Sequence, residues 1–173
     1  MDLREAISSR RSIRSFSGEQ VDRPTIDRIL QDANRAPSAG NLQARDFIVV
    51  TEAGVKKKIA EAALNQDFIA EAPVVVVVCA NKERSRAKYR RRGANLYSIL
   101  DAALAAQNLM LSCTNEGLGS CYVGAFNEKN VRKILAIPKT AVPVGIIPIG
   151  HPDENPIPTD RLPIERIVHR EEW

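Results

Sequence analysis

Apolar positions along this chain recur at helical spacing in some stretches and as unbroken runs in others. Asp2 and Glu5 form a capping pair that opens a short helix over residues 2–9. Ile26, Ile29, Leu30 and Ala33 share one helical face, so a second helix is expected from near Asp22. Pro24 falls in its first turn, where a missing N–H is harmless, and Pro37 stops it. Residues 47–51 read as a strand and residues 55–64 as a helix with lysines on its outer face. Residues 73–80 hold five consecutive valines between Pro and Asn, which predicts a strand buried on both faces.

Residues 95–115 form the longest helical segment. Leu96, Ile99, Leu100, Ala103, Leu104, Met110 and Leu111 leave it little polar surface, and four alanines let neighbours approach closely. In a chain of this size the simplest partner for its second apolar face is another subunit. A glycine-bracketed strand is expected over 117–126, and then a helix from Asn127 to Ala136. A last internal strand is expected over 142–150, with Pro143 and Pro148 suiting strand ends or edges. The tail, 152–173, carries four prolines and then Ile164, Ile167, Val168 and Trp173. Disordered tails seldom end in such an apolar set, so an extended arm docked on another subunit is expected. The irregular order of helices and strands favours an α+β fold in one domain spanning 1–173.

Composition adds bounds. A domain near 173 residues buries roughly 70% of the surface its unfolded chain exposes. Hydrophobic residues make up 44% and charged residues 27%, with a net charge of +4, which suits an ordinary globular protein. Arginines concentrate between Arg84 and Arg92, with only Tyr89 interleaved, which fits a solvated loop and helix start better than a nucleic-acid surface. The N-terminus lacks the apolar core of a signal peptide, and the longest apolar run, 72–80, is too short for a bilayer. Cys79, Cys113 and Cys121 have no metal-ligand spacing and read as reduced cytoplasmic thiols.

Two segments carry candidate chemistry. Arg10, Arg11, Ser12 and Arg14 place three guanidinium groups and a hydroxyl within five residues, after a short helix. Arginine forks bind phosphate oxygens through short charge-assisted bonds. The competing reading is that these arginines satisfy the carbonyls of the helix end. The second segment, 36–43, is rich in small residues and carries amides and a hydroxyl. A phosphate clamp with a polar small-residue loop points to a phosphorylated cofactor, not a metal. The loop also reads as a plain helix stop, since Gly40 and Asn41 are good stop residues. His151 and His169 have no carboxylate or cysteine at motif spacing. Neither a G-x-G-x-x-G fingerprint nor a Walker loop is present.

Together, RRSIRSF after residue 10, APSAGNLQARDFIVV at 36–50, FIAEAPVVVVVCA at 68–80 and YSILDAALAAQNLMLSCTNEGLGSCYVGAF at 97–126 resemble the nitroreductase family of flavin-dependent oxidoreductases. The ending PIGHPDENP…RLPIERIVHREEW fits too. The resemblance implies an α+β fold with a central mixed sheet flanked by helices. It implies an intertwined homodimer, with FMN at the interface and a C-terminal arm that wraps the partner. It implies that Arg10, Ser12, Arg14 and tail Arg161 contact the FMN phosphate and ribityl chain, with Arg11 beside them. Pro37, Ser38, Ala39, Asn41 and Gln43 would come from the second subunit to lie against the flavin. Val123, Gly124 and Ala125 would put backbone near flavin N5. Many members of the family carry a glutamate where this chain has Gly124.

The activity so implied is hydride transfer from NAD(P)H, a transient cosubstrate, through the flavin to nitroaromatics, quinones or other small acceptors by a ping-pong mechanism. The cofactor carries the electrons and the protein binds and orients it, so no catalytic acid–base residue is expected. Two other classes compete: a flavin carrier or sensor without turnover, and a basic nucleic-acid module built on 84–92, which would bind with strong salt dependence.

Overall fold

The computed structural model describes residues 1–173. Four strands, β1 (Arg45–Val50), β2 (Val74–Asn81), β3 (Gly119–Ser120) and β4 (Ala141–Gly150), lie in the order β1-β2-β4-β3. All three ladders are antiparallel. The mixed sheet implied by the resemblance comes down to one isolated parallel bridge, between Ser12 and Ser120. The helices are α1 (Leu3–Ser9), α2 (Arg23–Asn34), α3 (Ala53–Ala62), α4 (Phe68–Glu71), α5 (Lys82–Arg92), α6 (Ser98–Asn115) and α7 (Glu128–Ile134). The α+β fold follows from this order.

The valine run of β2 divides two cores by its period of two. Val74, Val76 and Val78 face Ile29 and Ala33 of α2 and Ala102, Ala106 and Leu109 of α6. Val75, Val77 and Cys79 face Ile59 and Ala63 beside α3, Ile69 of α4 and Val131 of α7. Each fully buried valine contributes about 1.5–3 kcal/mol. With helices on both faces β2 needs no polar side, which is why its sequence does not alternate.

Helix starts follow the expected caps. Asp2 accepts from the Glu5 N–H at 2.8 Å, Asp22 from the Thr25 N–H at 2.9 Å, and Asn127 from the Asn130 N–H at 3.0 Å. Each satisfies one of the first-turn donors that a helix leaves open.

Three expectations change. Lys56 does not join the outer lysine face of α3; it is 7% exposed, and its ammonium donates to the carbonyls of Ala72 at 2.6 Å and Pro73 at 3.4 Å. Burial lowers its pKa. The strand expected over 117–126 shrinks to Gly119–Ser120 and a bridge from Val123 to Ile146. This short piece also serves as a ledge: the Ile13 N–H donates to the Ser120 carbonyl at 3.0 Å. β4 is interior in the strand order, but Pro143 and Pro148 fall where its outer side has no β3 partner. Pro143 sits at the register shift opposite Val78 and Cys79, and β3 pairs only with Ile149 and Gly150.

The third change concerns 82–97. The arginine run is helical, not a loop, and it breaks at Arg90, which has φ 50° and ψ −133°. A π-turn over Gly93–Tyr97 then leads into α6. A Cβ on Gly93 would lie 2.4 Å from the Ser85 carbonyl oxygen, so glycine permits the chain to fold back on α5. The helical run Lys82–Asn115 is long and apolar enough to cross a membrane by length and composition. Half of its apolar window is buried within the fold, however, and Arg90 interrupts it.

Burial pushes the thiols of Cys79 and Cys113 up from 9.0 to about 12. A thiol raised in this way stabilises the fold fully below its unfolded value and loses that contribution as pH climbs to the folded value. Resistance to urea unfolding is therefore expected to fall between pH 9 and 12, and Cys79→Ala with Cys113→Ala to flatten that decline. Rapid labelling of either thiol in native protein at pH 8 would contradict the burial.

Candidate functional site

The segment after α1 is extended and pinned from two sides. Gly119 approaches Ile13 so closely that a Cβ there would sit 2.8 Å from the Ile13 side chain. Glu154, from the start of the tail, accepts from the backbone N–H of Arg14 and, at 3.1 Å, from that of Ser15. The tail is further tied by the Asp153 N–H donating to the Ser15 carbonyl at 2.9 Å. These contacts bring Arg10, Arg11, Ser12 and Arg14 together with Arg161 around one cleft of about 220 Å³, closed by Pro156, Pro158 and Thr159. Side chains from the two ends of the chain thus form one cationic concavity.

The arginines divide the work. Arg11 Nη1 donates to the Ser8 carbonyl at 2.6 Å and the Arg10 carbonyl at 3.0 Å, so Arg11 serves the helix end. Arg161 Nη1 bonds the Thr159 hydroxyl at 2.8 Å. The guanidinium groups of Arg10 and Arg14 have no hydrogen-bond or ion-pair partner in the chain. Behind them lies buried Cys121, whose thiol burial pushes up while nearby Arg14, Ser12 and Arg10 pull it down. Two unpaired cations facing one cleft suit an anion with several oxygens.

The loop 36–43 lies elsewhere. Pro37, Asn41 and Gln43 line a second cavity, of about 610 Å³, with Gln31, Asn34 and Arg35. Its backbone is strained: Gly40, Asn41 and Gln43 have φ of 58°, 56° and 50°. Side chains hold this conformation. The Ser38 hydroxyl accepts from the Gln43 N–H at 2.9 Å, and Gln43 Nε2 donates to the Asn41 carbonyl at 3.0 Å. Asp101 of α6, 2% exposed, accepts from the Ala39 N–H at 3.0 Å and the Ala44 N–H at 3.3 Å. Arg45 donates to the carbonyls of Asn34, Ala36 and Pro37 at 2.7, 2.9 and 3.3 Å. Burial lowers the Arg45 pKa, and the Asp101 charge opposes that.

Asp101 and Arg45 escaped the sequence reading. Asp101 is the one charged residue between Gly93 and Asn115, and a lone carboxylate in an apolar helix was the available signal. Glu154 left no local signal.

Val123, Gly124 and Ala125 line neither cavity. Val123 is buried and exchanges backbone bonds with Ile146 at 2.9 and 3.0 Å, and the Ala125 carbonyl accepts from Gln66 at 3.2 Å. Gly124 is exposed, and a Cβ built on it would meet only the Tyr122 ring, at 3.6 Å. A side chain fits there, so packing does not demand the glycine. His151 lies 3.9 Å from Glu19, and His169 stacks on Trp173 with centroids 4.6 Å apart. Neither reaches a cavity described above.

Asp101→Ala removes a charged acceptor from two backbone N–H groups and the counter-charge from Arg45. The expected loss is about 2–5 kcal/mol of stability. Hydrogen exchange at the Ala39 and Ala44 amides is expected to rise more than at β2. Unchanged exchange at those amides would contradict the anchoring role.

Residues 7–66 and 58–151 match the model of the Nitroreductase family. The NADH dehydrogenase of Thermus thermophilus is 33% identical, over 97% of this chain and 95% of that protein. The FMN reductase [NAD(P)H] of Bacillus subtilis is 30% identical, over 98% of this chain and 73% of that one. The solved structure of the Vibrio harveyi NADPH:FMN oxidoreductase complexed with NAD+ superposes with a TM-score of 0.90 at 27% identity, covering 98% of this chain and 76% of that one. The shared fold, the sequence matches along nearly its whole length and the blocks that carry its two cavities together show that this chain belongs to the nitroreductase family.

Proposed function

We propose that this chain is an FMN-dependent NAD(P)H oxidoreductase that reduces small electron-poor acceptors, such as nitroaromatics and quinones, with donor and acceptor using one site in turn. The observation that carries the reading is the cleft where Arg10 and Arg14 stand without partners beside Arg161. A dianionic phosphate needs several such donors to offset its desolvation. Bound FMN would supply the redox chemistry, accepting hydride from a nicotinamide and passing electrons on to the acceptor.

The chain's own residues bind and orient. Arg10, Arg14 and Arg161 hold the phosphate, with the Ser12 hydroxyl beside it; Arg11 keeps the end of α1 closed and lines the same cleft. Pro37, Ser38 and Ala39 present small side chains and backbone, and Asn41 and Gln43 left-handed backbone and amides, to the flat ring. Val123 is tied by its backbone to Ile146, and Gly124 and Ala125 beside it offer backbone at the reacting edge. The space left at Gly124, where many relatives carry glutamate, favours an open pocket and a broad acceptor range.

The clamp and the loop line separate cavities in one chain, which supports a site shared between two copies. α6 supports it independently. Its small residues, Ala102, Ala105 and Ala106, face the core, while Ile99, Leu100 and Leu104 are 39%, 48% and 45% exposed. A row of large apolar residues on a surface marks an interface. Past Glu154 the tail leaves Ile157, Leu162, Ile164 and Trp173 exposed, as an arm that covers a partner would. We read 1–173 as one FMN-binding domain whose residues 152–173 are that arm. Free, buried thiols suit a cytoplasmic setting.

The purified protein is expected to be yellow, to bleach with anaerobic NADH or NADPH, and to regain colour with a quinone or nitroaromatic. A protein that cannot be loaded with FMN would overturn the reading. Arg10→Ala is expected to weaken FMN binding about 10- to 100-fold, the effect of losing one or two charge-assisted bonds, with the melting curve of the apoprotein unchanged. Leu100→Glu, or removal of residues 160–173, is expected to shift sedimentation toward a monomer that releases its flavin. A flavin-loaded dimer after both changes would sink the shared site.

A further inference from the structure

The basic helix α5 packs on the strained loop. Arg84 of α5 donates to the Gln43 carbonyl at 2.5 Å and the Arg45 carbonyl at 3.0 Å, and it pairs with Asp46 at 2.8 Å. One turn on, Lys88 Nζ and Tyr89 Oη lie 2.9 and 2.6 Å from where a Gly40 Cβ would be. The contact is as close as glycine allows, and it places Lys88 at the rim of the loop, with the exposed Arg91 three residues further along.

The charge there is out of proportion to the chain. α5 has seven Lys or Arg and one acid, Glu83, in 11 residues. The whole chain carries a net charge of only +4, so the remainder is net acidic. The fold uses few of these cations. Arg84 is engaged as described, Arg86 sits 3.9 Å from Glu83, and Arg92 bonds the Tyr97 hydroxyl at 2.9 Å. Lys88, Arg90 and Arg91 are exposed and have no hydrogen-bond or ion-pair partner. Such concentration is repulsive within one helix and calls for an anion. A nucleic-acid strand fits poorly. Such binders stack bases on free aromatic faces, whereas Tyr89 is packed edge-on against Tyr97 and Lys88 lies over its ring, 5.5 Å from the centroid.

We propose that α5, through Lys88 and Arg91, draws in the phosphates of the nicotinamide donor and gives this protein a preference for NADPH over NADH. This rests on the reading of loop 36–43 as the wall of the flavin site. The two donors share a pyrophosphate; NADPH adds a 2′-phosphate of about −1.5 to −2 charge near neutral pH. An exposed cationic rim distinguishes them by Coulomb attraction, which salt screens over a Debye length of about 8–10 Å. The relatives' names do not decide the matter, since they include NADH, NADPH and both.

The test is calorimetric titration of the FMN-loaded protein with NADP+ and with NAD+, at low and high salt. NADP+ is expected to bind about tenfold more tightly at low salt, as one or two well-placed charges would produce, and the ratio to fall toward one as salt rises. Lys88→Gln with Arg91→Gln is expected to cut the ratio severalfold. Lys57→Gln with Lys58→Gln, which removes the same charge from exposed positions on α3, is expected to leave it in place. Equal affinities in the parent protein, or a preference that the α5 pair does not change, would overturn the proposal. A protein that holds flavin and is bleached equally by both donors would overturn it while leaving the oxidoreductase reading intact; failure to hold flavin would remove both.

Discussion

A single carboxylate, Asp101, accepts backbone N–H groups from both ends of the loop 39–44 while sitting nearly inaccessible on α6. Gly40, Asn41 and Gln43 of the loop lie in the left-handed region, which the two non-glycine residues hold only when surroundings overdetermine it. Asp101 supplies that from within, Arg45 from beneath, and α5 from the rim. Buried ions are expensive unless paired and hydrogen-bonded. This pair meets the condition through backbone, each ion filling its sites with main-chain groups of the segment it holds. The Arg45 Nε remains without a partner, so the arrangement serves position ahead of stability.

α6 turns the usual logic of an amphipathic helix around. Ala102, Ala105 and Ala106 face the chain's own core with Leu109, which brings the helix close to β2, and Ile99, Leu100 and Leu104 face outward. Within one chain that leaves the larger apolar faces uncovered, at α6 and along the tail. The proposed dimer would cover those faces and would bring together two cavities that one chain keeps apart. Assembly and site are then one constraint: the surface that needs a second copy is on the helix whose carboxylate holds the loop.

Charge follows the same economy. The modest net charge conceals two cationic regions with different tasks. At the clamp, the Ser120 carbonyl and the Glu154 carboxylate hold the chain by its backbone N–H groups and leave the Arg10 and Arg14 side chains without partners. On α5, Arg84 is locked into the fold and its neighbours are not. In both places one arginine is structural and the cations beside it are uncommitted, which is how a fold positions charge without neutralising it.

Local signals were legible in the chain. Caps at Asp2, Asp22 and Asn127 act over three residues, and the valine run of β2 announces a doubly covered strand, so helix starts and the central strand could be read directly. The clamp and the loop stood out because their residue types are unusual at that density. Interactions closed over long separations were not legible. Lys56 looked like its exposed neighbours because nothing nearby reveals that its ammonium reaches the carbonyls of Ala72 and Pro73. The 117–126 segment looked like a strand because its role as a ledge depends on Ile13. Asp101 meets its partners 62 and 57 residues away. The sequence by itself determined the capped helix starts, the central strand, the α+β class and the unusual residue types of the two segments, since these rest on neighbours within a turn. Only the tertiary structure decided which arginines remain free, what holds the loop and where α5 lies, because desolvation and hydrogen bonding are set by groups the chain brings together only once it has folded.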